Sequence, residues 1–189
     1  GGFIETSGKE VNIKADAKIT TKSKNGKTGT WLIDPNDYTV ASSGGNITGT
    51  QLSSDLENNN IEIRTATQGT SGGNGDIFVN DNVTWTSGNT LTLTAERNIN
   101  INSTLDASAG NGGKVVLNYG QGSSDGIINN TEAKYSFGLT SNGFTGKINL
   151  QAGQNFSTKL GANGTPIDWI VLNDYNSLQN IQSGTKYAL

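Results

Sequence analysis

The sequence has no cysteine, no methionine and no histidine among its 189 residues. Without cysteine there can be no disulfide and no thiolate chemistry, and without histidine or cysteine the usual strong zinc ligands are missing. We therefore expect neither a metal site nor a cofactor. A chain that crosses a membrane unfolded also benefits from having no cysteine to cross-link on the way.

Charged residues are scarce as well, at 15% of the chain with a formal net charge of −3. The first thirty residues nonetheless carry a local excess of positive charge from Lys9, Lys14, Lys18, Lys22, Lys24 and Lys27. A basic patch for an anionic partner is one interpretation. Lysines on a solvated strand face or edge, where they discourage unwanted pairing, are the favoured one. The acidic total argues against nucleic-acid binding.

Long apolar runs are absent too, so we expect no membrane insertion. The chain opens with Gly1, Gly2 and Phe3 and with no signal peptide. We expect it to be a fragment of a much longer protein.

Glycine, asparagine, threonine and serine supply the bulk of the chain, with 26 glycines alone. Glycine and asparagine accept the positive φ angles of tight turns, whereas threonine suits a pleated strand. This mixture favours many short strands joined by many turns. Isoleucine, leucine, valine and phenylalanine are few, so the core must be thin.

Alternation of apolar and polar residues recurs along the whole chain, which predicts strands with one buried face. It occurs at residues 11–14, 61–65, 90–94, 98–102, 114–118 and 147–151. The side chains that we expect to point inward are Ile63, Leu91, Leu93, Ile99, Ile101, Val115, Leu117, Ile148 and Leu150.

Two all-β architectures fit these strands: a β-sandwich and a parallel β-helix, in which each coil covers the core of the next. A sandwich usually needs a thicker, more aromatic core, so the pattern favours the β-helix (solenoid). We expect one domain over residues 1–189. Residues 22–27, 50–60 and 120–130 lack alternation and are predicted to be loop excursions.

A single short helix is predicted near the end of the chain. Asp174 is the expected N-cap, Leu178 and Ile181 would share one face, and Gly184 would end the helix.

Paired carboxylates are the first candidates for catalysis, because some β-helix enzymes cut polysaccharides with clustered aspartates. The nearest pairs in sequence are Asp76 with Asp81 and Asp34 with Asp37. The segment 34–37 reads better as a turn, with Asp at its first position and Pro at its second. We predict no catalytic residues.

Residues 72–76 nearly match the glycine-rich repeat that binds Ca²⁺ in toxin β-rolls. The motif lacks one residue before Asp76 and occurs only once, so it offers too few ligands to bind Ca²⁺. A plain turn is the favoured interpretation.

The tryptophans are Trp31, Trp85 and Trp169. Exposed indoles would form a stacking platform for sugars, but each of these lies within or beside an apolar strand. Packing in the core or at an end of the fold is therefore favoured.

Six Asn-x-Ser/Thr sequons are present, at Asn46, Asn82, Asn102, Asn129, Asn155 and Asn163. A chain rich in these residue types produces such motifs by chance, so on their own they are weak indications of glycosylation.

Several stretches resemble one family of exported proteins. They are GGFIETSGKEVNI (1–13), GKTGTWLIDPNDYTV (26–40), TLTLTAERNININSTLDASAGNGGKVVLNYG (90–120) and WIVLNDYNSLQNIQSGTKYAL (169–189). These resemble the two-partner-secretion exoproteins of Gram-negative bacteria, which include the filamentous haemagglutinins and the high-molecular-weight adhesins. The sequence has no Asn-Pro-Asn motif of the kind that marks the family's secretion domain. The resemblance therefore places the chain beyond that domain.

The resemblance implies a right-handed parallel β-helix that is secreted to the bacterial surface. It implies export through an outer-membrane transporter partner, and a role in adhesion, aggregation or biofilm. The expected contact is a host-cell glycan or protein, or a neighbouring bacterial surface. Some high-molecular-weight adhesins carry hexoses at sequons, which gives the six asparagines more weight.

The function that we predict is that of a β-helical stalk and contact segment of a secreted adhesin, without enzymatic activity. One alternative is the stalk of a toxin-delivering or haem-capturing exoprotein. Another is a polysaccharide-processing enzyme on the same fold. The sequence does not identify residues that bind the adhesion ligand.

Overall fold

The computed structural model describes residues 1–66, 73–179 and 181–189. Strands predominate in this part of the chain and helices are few, so the prediction of a β-rich protein is confirmed. The first elements are β1 (Phe3–Ser7), β2 (Thr30–Asp34), β3 (Tyr38–Val40), α1 (Gly49–Leu56), β4 (Asn60–Arg64), β5 (Ile77–Val79), β6 (Val83–Thr84), β7 (Thr90–Thr94), β8 (Ile99–Ile101), β9 (Thr104–Ala107) and β10 (Lys114–Tyr119). The remainder are β11 (Ile127–Ile128), β12 (Thr131–Glu132), β13 (Tyr135–Phe137), β14 (Leu139–Thr140), β15 (Gly143–Phe144), β16 (Lys147–Leu150), β17 (Gly153–Leu160), β18 (Ile167–Val171), α2 (Tyr175–Leu178) and β19 (Tyr187–Ala188).

Most strands belong to three sheets. Sheet A has the order β1-β2-β4-β7-β10-β17-β18-β19, sheet B the order β13-β8-β5-β3, and sheet C the order β16-β9-β6. All neighbours pair in parallel except β17 and β18, which are antiparallel. Two antiparallel hairpins, β11–β12 and β14–β15, stand apart from these sheets.

The chain visits the three sheets in a fixed order. It passes from sheet A to B to C through β4, β5 and β6, again through β7, β8 and β9, and a third time through β10, β13 and β16. Each return to a sheet adds the next strand alongside the previous one. Parallel neighbours cannot be joined by a hairpin, and here the other two sheets supply the crossover between them.

Inward-facing apolar side chains stack in register along each sheet. In sheet A, Ile61, Leu91 and Val115 are successive register neighbours, and all are buried. All the residues predicted to point inward are buried except Ile148, which is half-buried and packs against the same core. The alternation in the sequence therefore identified the buried faces correctly.

Side-chain oxygens stack along the start of sheet B. Oδ1 of Asp37 accepts a hydrogen bond from the backbone N–H of Asp76 at 2.8 Å. Oδ1 of Asp76 accepts from Asn98 N–H at 2.9 Å, and Oδ1 of Asn98 accepts from Lys134 N–H at 2.9 Å. Each bond satisfies a backbone donor at a bend, where no strand partner exists.

The prediction of a loop over residues 50–60 is wrong, because α1 spans Gly49–Leu56. The side chain of Thr48 caps it by accepting from Gln51 N–H at 3.1 Å. Leu52 and Leu56, one helical turn apart, are fully buried. Two leucines four residues apart, preceded by a threonine that can cap, are a sequence signal for a helix. With only two apolar residues, however, a short helix is not stable until it packs against the rest of the protein.

α1 covers the outer edge of sheet C. Thr84 N–H donates to Ser53 Oγ at 2.9 Å, and Thr86 N–H donates to the Glu57 carboxylate at 2.6 Å. Polar side chains on and after the helix thus replace the strand that would otherwise pair with this edge.

Residues 8–29, which we call the N-terminal strap, contain no helix or strand. The loop predicted over residues 22–27 is confirmed, whereas the strand predicted over residues 11–14 is wrong. Val11 is buried there, but its carbonyl accepts a hydrogen bond from Asn46 Nδ2 at 3.1 Å. Ile13 N–H donates to the Asn46 carbonyl at 2.7 Å. These bonds to Asn46 take the place of a strand ladder.

The loop predicted over residues 120–130 is correct up to residue 126, beyond which β11 begins. The predicted C-terminal helix exists and Asp174 caps it, but it ends at Leu178. Leu178 and Ile181 are exposed and do not share a buried face, and Gly184 lies well beyond the helix.

Leu93→Ala is expected to destabilise the protein by about 2–5 kcal/mol, because Leu93 is fully buried between strands that cannot collapse around a cavity. The adjacent Thr92→Ala is the matched control, since Thr92 points to the other face of the same strand. It should cost less than about 1 kcal/mol. Reversible urea unfolding measures both, and equal losses would contradict the assignment of faces.

Candidate functional site

Three of the four aspartates considered for catalysis, Asp37, Asp76 and Asp81, are engaged in structural hydrogen bonds. Asp76 is buried and forms a bidentate ion pair with the Arg97 guanidinium. Asp81 accepts from Gly49 N–H at 2.8 Å, at the first turn of α1, and from Asn82 N–H at 3.0 Å. The two carboxylates are therefore committed to different neighbours.

Asp34 and Asp37 lie at either end of the predicted turn, which joins β2 to β3. Asp37 accepts backbone hydrogen bonds from Asn74 at 3.0 Å and from Asp76 at 2.8 Å. Oδ1 of Asp34 is buried without a hydrogen-bond partner among the described residues. Burial raises the pKa of Asp34, and the nearby Arg64 guanidinium partly opposes that rise.

The glycine-rich segment 72–76 lies only partly within the described residues, since residue 72 falls outside them. Gly73 and Gly75 have positive φ angles of 97° and 73°, as a tight turn requires. The Asp76 carboxylate is held by Arg97 and Asn98 N–H, so it is not free to bind a cation. In the ranges 1–66, 73–179 and 181–189, no group of three or more acidic residues is placed to hold a metal ion.

Core packing of the tryptophans is confirmed for Trp31 and Trp85, which are fully buried. Their indole N–H groups donate to Thr6 Oγ1 and to the Asn89 carbonyl, each at 3.0 Å. Trp169 is half-buried and donates to Thr158 Oγ1 at 2.9 Å. Neither buried indole can act as a stacking platform for a sugar.

All six lysines of the first thirty residues are exposed, and none forms an ion pair with a described residue. They lie on the N-terminal strap rather than on a strand face. A polar cleft of about 610 Å³ opens beside the strap. Its walls include Lys9, Glu10, Asp37 and Asn46.

A larger cavity of about 760 Å³ opens at the opposite end of the molecule, beside the last strands of sheets B and C. Its lining is mainly apolar and includes Phe137, Phe144, Ile148, Phe156 and Val171. Phe144 and its hairpin partner Leu139 are 64% and 66% exposed. Part of the apolar core therefore lines this cavity.

The six sequons differ sharply in their surroundings. Asn82, Asn102, Asn129 and Asn163 are exposed, whereas Asn46 and Asn155 are half-buried. Asn129 lies in the two-residue turn between β11 and β12, where its φ is 51°.

Hydrogen bonding separates the sequons further. Both Nδ2 hydrogens of Asn46 are donated, one to the Val11 carbonyl and one to Asn12 Oδ1, each at 3.1 Å. Its Oδ1 accepts from Thr39 N–H at 2.8 Å. Among the described residues, the Asn82 side chain uses its Oδ1 alone, which accepts from Thr104 N–H at 2.9 Å. A sugar on Asn46 would break a bond that holds the strap, whereas a sugar on Asn82 would not.

Sequence reasoning missed the buried amides that join the strap to the region of α1. Gln51 and Asn59 are almost fully buried, and both bond to strap carbonyls. Their positions lie in the segment predicted to be a loop, and no sequence pattern marks them.

No helix in the described ranges is long and apolar enough to span a membrane.

Adding millimolar Ca²⁺ or a chelator is expected to leave the melting temperature unchanged, because the Asp76 carboxylate is already paired with Arg97. Differential scanning calorimetry measures this directly. A Ca²⁺-dependent rise that Asp76→Asn abolished would assign a calcium site to the turn and contradict the expectation.

Comparison with known proteins identifies no relative: no family model matches the sequence, and no curated protein or solved structure is detectably similar.

Proposed function

We propose that the chain is a right-handed parallel β-helix and that it serves as the stalk and contact segment of a secreted bacterial adhesin. The observation that carries the proposal is that the chain passes three times through sheets A, B and C, with parallel register between the strands of successive passes. A solenoid built in this way presents long outer faces and contacts along its axis only its own neighbouring coils.

The outer face of sheet A fits a stalk. Glu62 and Thr92, register neighbours on that face, are polar and half-buried, and Arg64 pairs with Glu62 at 2.8 Å. Such a face is solvated, and among the described residues its carboxylate Glu62 is paired with Arg64 rather than free. It therefore supports the stalk over a polysaccharide-processing enzyme. A stalk of a toxin-delivering or haem-capturing exoprotein would have the same face, and the remainder of that protein would distinguish it.

Export through an outer-membrane transporter partner is part of the proposal. In cells that encode this chain, antibody against residues 1–189 is expected to stain the intact cell surface. Deleting the transporter gene should abolish the staining and reduce adhesion, because the adhesin no longer leaves the cell. Fab fragments of the same antibody should block adhesion of wild-type cells, with Fab fragments of unrelated specificity as the control.

Two outcomes would contradict the proposal. Antigen that stays inside wild-type cells would overturn secretion. Surface antigen with adhesion unaffected by transporter loss or by Fab would overturn the adhesin assignment. Release of reducing ends when the purified chain is incubated with surface polysaccharides would favour the enzyme instead.

We further propose that exposed sequons carry sugars in the native organism. Hexose is expected on Asn82, Asn129 and Asn163, whose side chains are exposed and donate no Nδ2 hydrogen to the described structure. Asn46 should be bare, because both its Nδ2 hydrogens are donated to the strap, at the Val11 carbonyl and at Asn12 Oδ1. The chain made in a host without the transferase should fold unglycosylated.

Peptide mapping of native protein by mass spectrometry tests this. Asn129→Gln should remove one modified peptide and Asn46→Gln none. Hexose on Asn46, or no hexose on any of the six peptides, would contradict the proposal.

A further inference from the structure

A buried polar network joins the N-terminal strap to α1 and the residues that follow it. Gln51 Nε2 donates to the Ala17 carbonyl at 3.1 Å and to Asp55 Oδ2 at 3.0 Å. Asn59 Nδ2 donates to the Ile19 carbonyl at 2.9 Å, and Asn59 Oδ1 accepts from Thr21 N–H at 2.6 Å. These bonds fix the middle of the strap over the N-terminal end of the core.

The strap has little apolar anchorage of its own. Val11 and Thr21 are its buried side chains, and Ile13 and Ile19 are only half-buried. A segment held by a few polar bonds and little apolar surface opens at lower free energy than the core strands. The network therefore governs opening of the middle of the strap, while Asn46 separately holds residues 11–13.

Asp55 is the titratable member of this network. Asp55 is only 4% exposed and has no ion-pair partner among the described residues. Tyr38 of β3 lies close enough for the Asp55 charge to contribute to its raised pKa. The buried Tyr38 hydroxyl has no hydrogen-bond partner in the described structure. Glu57, just after α1, accepts a hydrogen bond from Thr86 N–H. The charged strap residues Lys14, Asp16 and Lys18 are exposed.

Enclosure disfavours the charged form of this carboxyl group. Burial raises the pKa of Asp55, and the hydrogen bond from Gln51 partly opposes that rise. Burial raises the pKa of Tyr38 as well, and the Asp55 charge adds to it, so the tyrosine stays neutral. Gln51 bonds both to Ala17 of the strap and to Asp55, so opening the strap would disturb the enclosure of this carboxyl group and return its pKa toward the ordinary value.

We propose that the N-terminal strap is a proton-sensitive seal, closed most tightly in mild acid, with the buried carboxyl group of Asp55 as its sensor. The closed state binds a proton that the open state releases. Closure is therefore fully favoured below the carboxyl's ordinary pKa and weakens as pH rises through the higher pKa of the closed state. Each unit of difference between those two pKa values changes the closing equilibrium about tenfold.

Hydrogen exchange read by mass spectrometry on peptides within residues 11–29 tests the seal. After correction for intrinsic exchange rates, the opening constant of the wild-type strap should rise between pH 4 and pH 7.5, by about tenfold for each unit that separates the Asp55 pKa values of the closed and open states. Asp55→Asn should keep the strap closed with no such rise, because the amide has no charge to desolvate. Asp16→Asn is the matched control, on the exposed side of the strap, and should behave like wild type.

Gln51→Met provides a second, independent variant. It removes the bond to the Ala17 carbonyl and should open the strap at every pH, even if Asp55→Asn were to fold poorly. A wild-type opening constant that is flat with pH, or a rise that persists in Asp55→Asn, would overturn the proposal. So would an equal pH dependence in peptides from β7, since that would mark global unfolding rather than opening of the strap.

Discussion

Parallel register between successive passes of the chain is the constraint on which the rest of the structure depends. Side chains alternate between the two faces of a strand, so a slip of one residue would turn every inward apolar residue outward. In sheet A the inward positions of β4, β7 and β10 coincide, which places Ile63, Leu93 and Leu117 in one continuous column. A chain with few apolar residues can fold because the inward ones in these columns lie beside those of the pass before and the pass after.

The polar residues that are abundant in the composition maintain this register at the bends. Asp37, Asp76 and Asn98 each accept a hydrogen bond from the backbone of the next pass. Asparagine and aspartate suit these positions because a short side chain reaches the neighbouring N–H without displacing the core. The asparagines at the bends are therefore structural parts of the fold, and only some of the six sequons are available for any other role.

The two ends of the molecule are built differently. Ser53 and Glu57 of the α1 region satisfy the donors of the sheet C edge, and the strap closes the opening beside them. At the other end an apolar cavity remains beside Phe137 and Ile148. A proton-sensitive strap would act at the end of the core that α1 covers.

The β-rich class, the main strands and the faces that they bury follow from local sequence, because a period of two is a local property visible in Thr90–Thr94 or Lys114–Tyr119. Local sequence also indicated that Trp31 and Trp85 belong to the core and that Asp174 begins a helix. The helix at residues 49–56, and the placement of Val11 and Ile13 in a strap without strand pairing, depend instead on tertiary contacts. Those outcomes depend on partners such as Asn46, Asn59 and the edge of sheet C, which are distant in sequence and meet only after folding. For the same reason the burial of the Asp55 carboxyl group could not be predicted from the sequence. Burial depends on the residues that pack around a side chain, and no local pattern encodes it.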